Sequence, residues 1–238
     1  MMTSTTIASD FSIIMQQLQA SYNEKNIQGM AHFGIKTEKC FGTRKPDLRL
    51  IAKPFSKNHG LALRLWDEGY LETKILAAWI DDPKLVTEVQ METWVKNIDS
   101  WDVCDQCMGS LFDKTPFAVA KAIEWSGRQP EFEKRAGFVL MATLAVHDKK
   151  VDDDQFYPFL KVISRAVNDN RNFVKKAVNW ALRQIGKRNM ELNQKAISVA
   201  IHLAERPESA ARWIGKNAYR ELTDPVQQNR IRKKRKTH

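Results

Sequence analysis

The 238-residue chain has little of what breaks or punctuates a helix, with only ten glycines and eight prolines. That scarcity, with β-branched residues seldom alternating with polar ones, argues against an all-β chain of short strands and tight turns. Cysteine is scarcer still: Cys40, Cys104 and Cys107 make an odd, sparse set that argues against a disulfide framework and suits a reducing compartment. No segment approaches the roughly 18 consecutive apolar residues of a spanning helix. The opening MMTSTTIASD has no basic start followed by an apolar run. The expectation is a soluble, cytoplasmic protein with no membrane partner.

Motifs for metals and nucleotides are missing too. The five histidines show no HExxH spacing, and there is no P-loop and no GxGxxG. Cys104 and Cys107 form C-x-x-C, but inside a helical stretch with no second pair and no nearby histidine, so neither zinc nor thioredoxin chemistry is favoured. No metal and no cofactor are expected.

What is present is a globular composition with a basic excess. Hydrophobic residues make up 43% and charged residues 28%, so a largely disordered chain is excluded. Thirty-eight Lys+Arg against 28 Asp+Glu give +10, a balance that favours polyanionic partners. RIRKKRK at 230–236 carries six of those charges, so residues 1–229 hold 10 − 6 = +4. The expected organisation is one domain over 1–229 and a disordered basic tail over 230–238. That tail reads either as a solubilising segment or as a basic arm on a polyanion.

Apolar residues recur every three or four positions over most of the length, predicting twelve short helices: 11–22, 47–52, 60–67, 72–80, 87–97, 101–112, 117–126, 131–147, 155–167, 171–188, 190–205 and 209–221. IDDP, DKTP and DDDQ lie between them, as capping and turn sequences do. Four segments share a charged or polar start, a small-residue middle and a large apolar end: ETKILAAWI, EKRAGFVLM, VKKAVNWAL and SAARWIGKNA. The last three start at 133, 174 and 209, spaced by 41 and 35 residues, which suits HEAT-like helical pairs. An all-α solenoid of HEAT-like repeats with a concave basic face is the leading fold; an irregular helical bundle is the alternative.

Three helices carry chemistry. On a wheel of 171–188, Val174, Val178, Ala181 and Ile185 share one face, while Lys176, Trp180, Arg183 and Lys187 fall nearly opposite. That helix holds six Lys+Arg and no acid, a surface suited to phosphates with an aromatic plane at its centre. Trp180 packing on an adjacent repeat is the competing interpretation. On 101–112, Trp101 and Asp105 are i,i+4 neighbours that can present a ring and a carboxylate to one point, although a lone helix aspartate is also commonly an exposed or ion-paired group. Asp102 is placed to help cap that helix's start. Arg135 sits in a helix that is apolar almost all round, so its guanidinium needs a carboxylate such as Asp105, or a phosphate.

SWDVCD (100–105), KRAGFVL (134–140) and FVKKAVNWALR (173–183) together resemble the AlkD-like DNA alkylation repair family, HEAT-like-repeat DNA glycosylases. The resemblance runs from FGIKTEKCFG at 33–42 to about Leu222. It implies that Trp101, Asp105, Trp180 and Arg135 line the DNA face; Asp105, Trp101 and Trp180 are then the expected catalytic set, and Arg135, Lys176, Arg183, Lys187, Lys36 and Thr37 the expected DNA contacts. It implies hydrolysis of the N-glycosidic bond of cationic N3- or N7-alkylated purines in double-stranded DNA, by a monomer, without a deep base-flipping pocket, at the nucleoid if the source is bacterial. The chain departs from the family pattern at Ser100, where the relative has a tryptophan, at Lys36, where it has a glutamine, and at Asn172-Phe173, where it has paired aromatics. A non-catalytic DNA-binding scaffold and a protein-binding solenoid are the competing functions.

Overall fold

The computed structural model describes residues 4–149, 151–166 and 168–234. Among them are fourteen α-helices and three single 3-10 turns, with no strand: α1 (Ser4–Ala20), α2 (Glu24–His32), α3 (Lys45–Ala52), α4 (His59–Glu68), α5 (Leu71–Ile80), α6 (Glu88–Lys96), α7 (Trp101–Ser110), α8 (Ala118–Ser126), α9 (Glu131–His147), α10 (Phe156–Arg165), α11 (Asn172–Gly186), α12 (Met190–Ala204), α13 (Ser209–Leu222) and α14 (Pro225–Lys234). Side-chain caps set several starts. Asn23, Asn58, Thr87 and Asn189 each accept a backbone N–H three residues on, and Ser100 accepts that of Asp102 at 3.3 Å. The capping role expected near Asp102 therefore belongs to Ser100, and the Asp102 carboxylate pairs with Lys45 instead. At the end of α4, Gly69 takes φ 82°, the left-handed cap that a side chain disfavours.

Internal contacts gather into two compact units, Met1–Thr115 and Pro116–His238. The first packs α4 on α5 and α5 on α7. Its core holds Trp66 stacked on Trp94 at 4.0 Å between centroids, with Phe112 tilted against Trp94. The second packs α8 on α9, α9 on α11, and α11, α12 and α13 on one another. Two of these contacts bring backbones too close for a side chain. A Cβ on Gly137 would meet Ser126 N at 2.3 Å, and one on Gly215 would meet Ala204 N at 2.4 Å. The same glycine-mediated approach thus recurs in α8–α9 and α12–α13.

A repeat register runs across the second unit. Lys175 meets Trp213, Asn179 bonds Asn217 and Arg183 pairs with Glu221, each pair 38 residues apart. A constant offset means that α11 and α13 run side by side in the same direction, one repeat apart. The sequence spacing of 35 for these segments is therefore three residues short, because small residues recur at several registers of α13. In the contact register Trp180 corresponds to Ala218.

The helices differ from the sequence expectation at both ends. α1 starts earlier, at Ser4, and α2 was not foreseen. The helix expected over 155–167 is α10, ending at Arg165, and Val167 lies outside the described residues. The expected tail boundary at 229/230 falls inside α14, where Ile231 is fully buried and Gln228 donates to Asn193 Oδ1 at 2.8 Å. One buried apolar residue and the Gln228 side chain together tie that helix down. Residues 235–238 lie outside the described residues.

Candidate nucleic-acid interface

In the first unit the site is built on α7. Val103, Cys104, Cys107 and Met108 are fully buried, which leaves Trp101 and Asp105 half-buried one turn apart on the outward side. Met108 and Phe112, which share their wheel position, have turned into the core. The Trp101 indole N–H donates to the carbonyl of Phe33 at 3.1 Å, so the ring is fixed from outside its own helix.

Phe33 opens a loop, 33–44, that also carries Lys36 and Thr37. Lys36 is exposed, 3.8 Å from the Asp99 carboxylate, and Thr37 is half-buried. The far half of this loop is wrapped on Glu72. That side chain is fully buried and accepts the backbone N–H groups of Phe41 (3.0 Å), Gly42 (2.8 Å) and Thr43 (3.2 Å), and the Cys40 thiol at 3.2 Å. Backbone donors thus satisfy a carboxylate that would otherwise be costly to bury. Burial, then the charge and hydrogen bond of Glu72, push the Cys40 thiol up to about 12. Gly42 is required here, since its φ is 76° and a Cβ would lie 2.4 Å from Asn23 O.

Beside this region Gln106 of α7 accepts the Trp79 indole N–H at 3.0 Å, and Arg49 lies 4.6 Å from the Trp79 ring centroid. The sequence pattern gives no sign that Phe33, Glu72, Trp79 and Arg49 support the surroundings of the candidate residues. Glu72 reads in sequence as the charged start of ETKILAAWI, and its only clue is the glycine-containing FGIKTEKCFG loop that it holds.

Cys104 and Cys107 are fully buried, and burial, then the neighbouring Cys104, push the Cys107 thiol well above its ordinary value. They are part of the α7 core face.

In the second unit Val174, Val178, Ala181 and Ile185 of α11 are fully buried, with Trp180 half-buried and Lys176 exposed on the other side. Arg183 and Lys187 converge on Glu221 of α13, Lys187 at 2.7 Å. Burial raises the Glu221 carboxyl, but the hydrogen bonds from Lys187 and Arg183 outweigh it and the net shift is downward. The basic arc on α11 is therefore partly neutralised by an acid one repeat away, which a single-helix wheel does not reveal. Arg135, 6% exposed, donates to the Phe173 carbonyl at 2.7 Å, so part of its guanidinium ties α9 to the start of α11. Trp101, Asp105, Lys36 and Thr37 belong to the first unit; Arg135, Lys176, Trp180, Arg183 and Lys187 belong to the second.

Helical pairs joined through close glycine contacts, with same-direction helices at a fixed register, define an all-α, HEAT-like-repeat protein. The chain belongs to the DNA alkylation repair enzyme family, whose model matches residues 14–222. A solved structure from a family described as new, related to the HEAT-like repeat DNA glycosylases and with affinity for branched DNA structures, is similar at 20% identity. The match covers 93% of this chain and 95% of that one with a TM-score of 0.75, a likeness of fold. A designed armadillo repeat protein in complex with the peptide (KR)4 matches at 14% identity over 92% and 85% of the chains, with a TM-score of 0.35. That level carries no argument. No curated protein sequence matches the chain significantly.

Proposed function

We propose that this protein is a DNA glycosylase that binds duplex DNA and hydrolyses the N-glycosidic bond of cationic N3- or N7-alkylated purines. Membership of the DNA alkylation repair enzyme family supports this reading. The observation that carries it is the pairing of Trp101 and Asp105 on one turn of α7, with the indole held by the Phe33 carbonyl.

An alkylated purine already bears positive charge, so its departure needs little general-acid help. As the C1′–N bond breaks, its electron pair stays on the purine, which leaves neutral; C1′ gains oxocarbenium character, and water forms the new C1′–O bond and loses a proton to solvent. A carboxylate and an aromatic face both stabilise that passing positive charge. Asp105 stabilises it and orients the water, and Trp101 lies against the deoxyribose. On the second unit Trp180 offers an aromatic plane to DNA and Arg135, Lys176, Arg183 and Lys187 supply charge to the backbone, as Lys36 and Thr37 supply charge and polar contacts on the first.

The test is release of 7-methylguanine and 3-methyladenine from alkylated duplex. Wild type is expected to release at least one of them, and Asp105→Asn to slow release about 100-fold or more while keeping its affinity for undamaged duplex. A second reading, DNA binding without catalysis, draws on the fold relative with branched-DNA affinity. Wild-type protein that binds DNA but releases neither base would establish that second reading.

A further inference from the structure

The cations of α11 and α13 divide by whether an acid answers them. Arg183 and Lys187 are held by Glu221. Lys175 instead lies over the indole of Trp213, its Nζ 5.1 Å from the ring centroid. On α13, Trp213, Lys216 and Arg220 follow one another at i, i+3 and i+7, all exposed, on the side of the helix opposite its buried Ala211, Ala218 and Leu222. Lys216 and Arg220 have no ion pair among the described residues. Trp213 keeps 37% of its surface exposed. An exposed aromatic plane between unanswered cations, on a rigid helix, has the make-up of a single-strand nucleic-acid platform.

We propose that Lys175, Trp213, Lys216 and Arg220, none of them in the Trp101, Asp105 and Trp180 set, form a further DNA-contact surface that takes an unpaired nucleotide on the Trp213 ring and its flanking phosphates on the lysines and Arg220. This rests on the DNA-binding reading above and names a further class of DNA for it, a duplex with a single-stranded extension or gap. An unpaired base suits the ring better than a paired one, because an indole on a helix surface reaches the face of a stacked base only after unstacking it, which costs a few kcal/mol. The cations set the affinity and its salt dependence, and the ring sets the preference for unpaired over paired DNA.

The experiment compares a blunt fluorescent duplex with the same duplex carrying a single-stranded extension, by anisotropy across a salt series. Wild type is expected to bind the extended duplex about tenfold more tightly. Trp213→Ala is expected to erase that preference while binding the blunt duplex as before. Lys216→Gln with Arg220→Gln is expected to lower the salt slope for the extended duplex by about 1.4, the share of two single-strand phosphate contacts. All three positions are exposed, so unchanged helical circular dichroism and unfolding temperature would show that the variants remain folded. Duplex binding by wild type with no preference for the extension, or a preference that survives Trp213→Ala, overturns the proposal and leaves the DNA-binding reading standing. Wild type that binds neither DNA overturns both.

Discussion

The Trp101 indole is oriented by the carbonyl of Phe33, the residue that closes α2, 68 positions earlier in the chain. The aromatic plane beside Asp105 is therefore a joint product of α7 and the 33–44 loop. Trp101→Phe keeps a π face but loses the N–H that fixes it. A net hydrogen bond is worth about 1 kcal/mol. Single-turnover release of alkylated base should slow by about 3- to 10-fold in this variant, and more in Trp101→Ala.

Glu72 holds the same loop from the other end. Glu72→Gln replaces one of the two acceptor oxygens with a donor facing the backbone N–H groups of residues 41–43, leaving buried donors unanswered. Urea unfolding should show a loss of about 3 kcal/mol. Cys40 reports the change locally. With its thiol pushed up to about 12 and buried, Cys40 should react slowly with iodoacetamide at pH 8 in wild type and measurably faster in the variant.

Asp169 lies between Lys134 at 3.0 Å and Arg171 at 2.6 Å. The Arg171 hydrogen bond, then that of Lys134, holds its carboxyl well below the usual carboxylate range against the opposing effect of burial. A lowered folded value means that the ion pair's contribution is complete above the unfolded pKa of about 3.9 and is lost as pH falls through the folded value. Acid titration of stability should therefore be shallower below about pH 4 in Asp169→Asn than in wild type. Equal acid slopes in the two proteins would refute this linkage.

Glycine substitutions should divide by what surrounds them. Gly137→Ala places a methyl against Ser126 N and Ala122 O, and Gly215→Ala against Ala204 N and Ala200 O. Each should destabilise by about 2 kcal/mol or more, since backbone cannot give way as a side chain can. Gly29, inside α2, has nothing within 4 Å of the point an alanine methyl would occupy, and should tolerate alanine with a gain of about 0.5–1 kcal/mol. Thermal unfolding of the three variants checks the contrast.

Helical class and most helix positions were legible because buried apolar stripes impose their period on the sequence: the Val174, Val178, Ala181 and Ile185 stripe, all fully buried, is an example. α2 escaped because EKNIQGMAH buries no residue and so carries no such stripe. α14 escaped because Ile231, its one buried residue among those described, stands in a run rich in cations. The residues at the candidate site were legible as residue types, their surroundings less so. Glu221 answers Arg183 and Lys187 from 38 and 34 residues away, and Glu72 reaches residues 41–43 from about 30 away. Pairings of that span follow from how helices stack, and local periodicity holds no record of them.

The 38-residue ladder between α11 and α13 also makes neighbouring repeats answerable to each other. Asn179 and Asn217 share one hydrogen bond, and Arg183 and Lys187 share one carboxylate. A change on either helix alters what the other can accommodate, so variants at 179 and 217, or at 183 and 221, should be non-additive in double-mutant cycles. Drift in one repeat is thereby restrained by the next, and the two helices behave as one mutational unit.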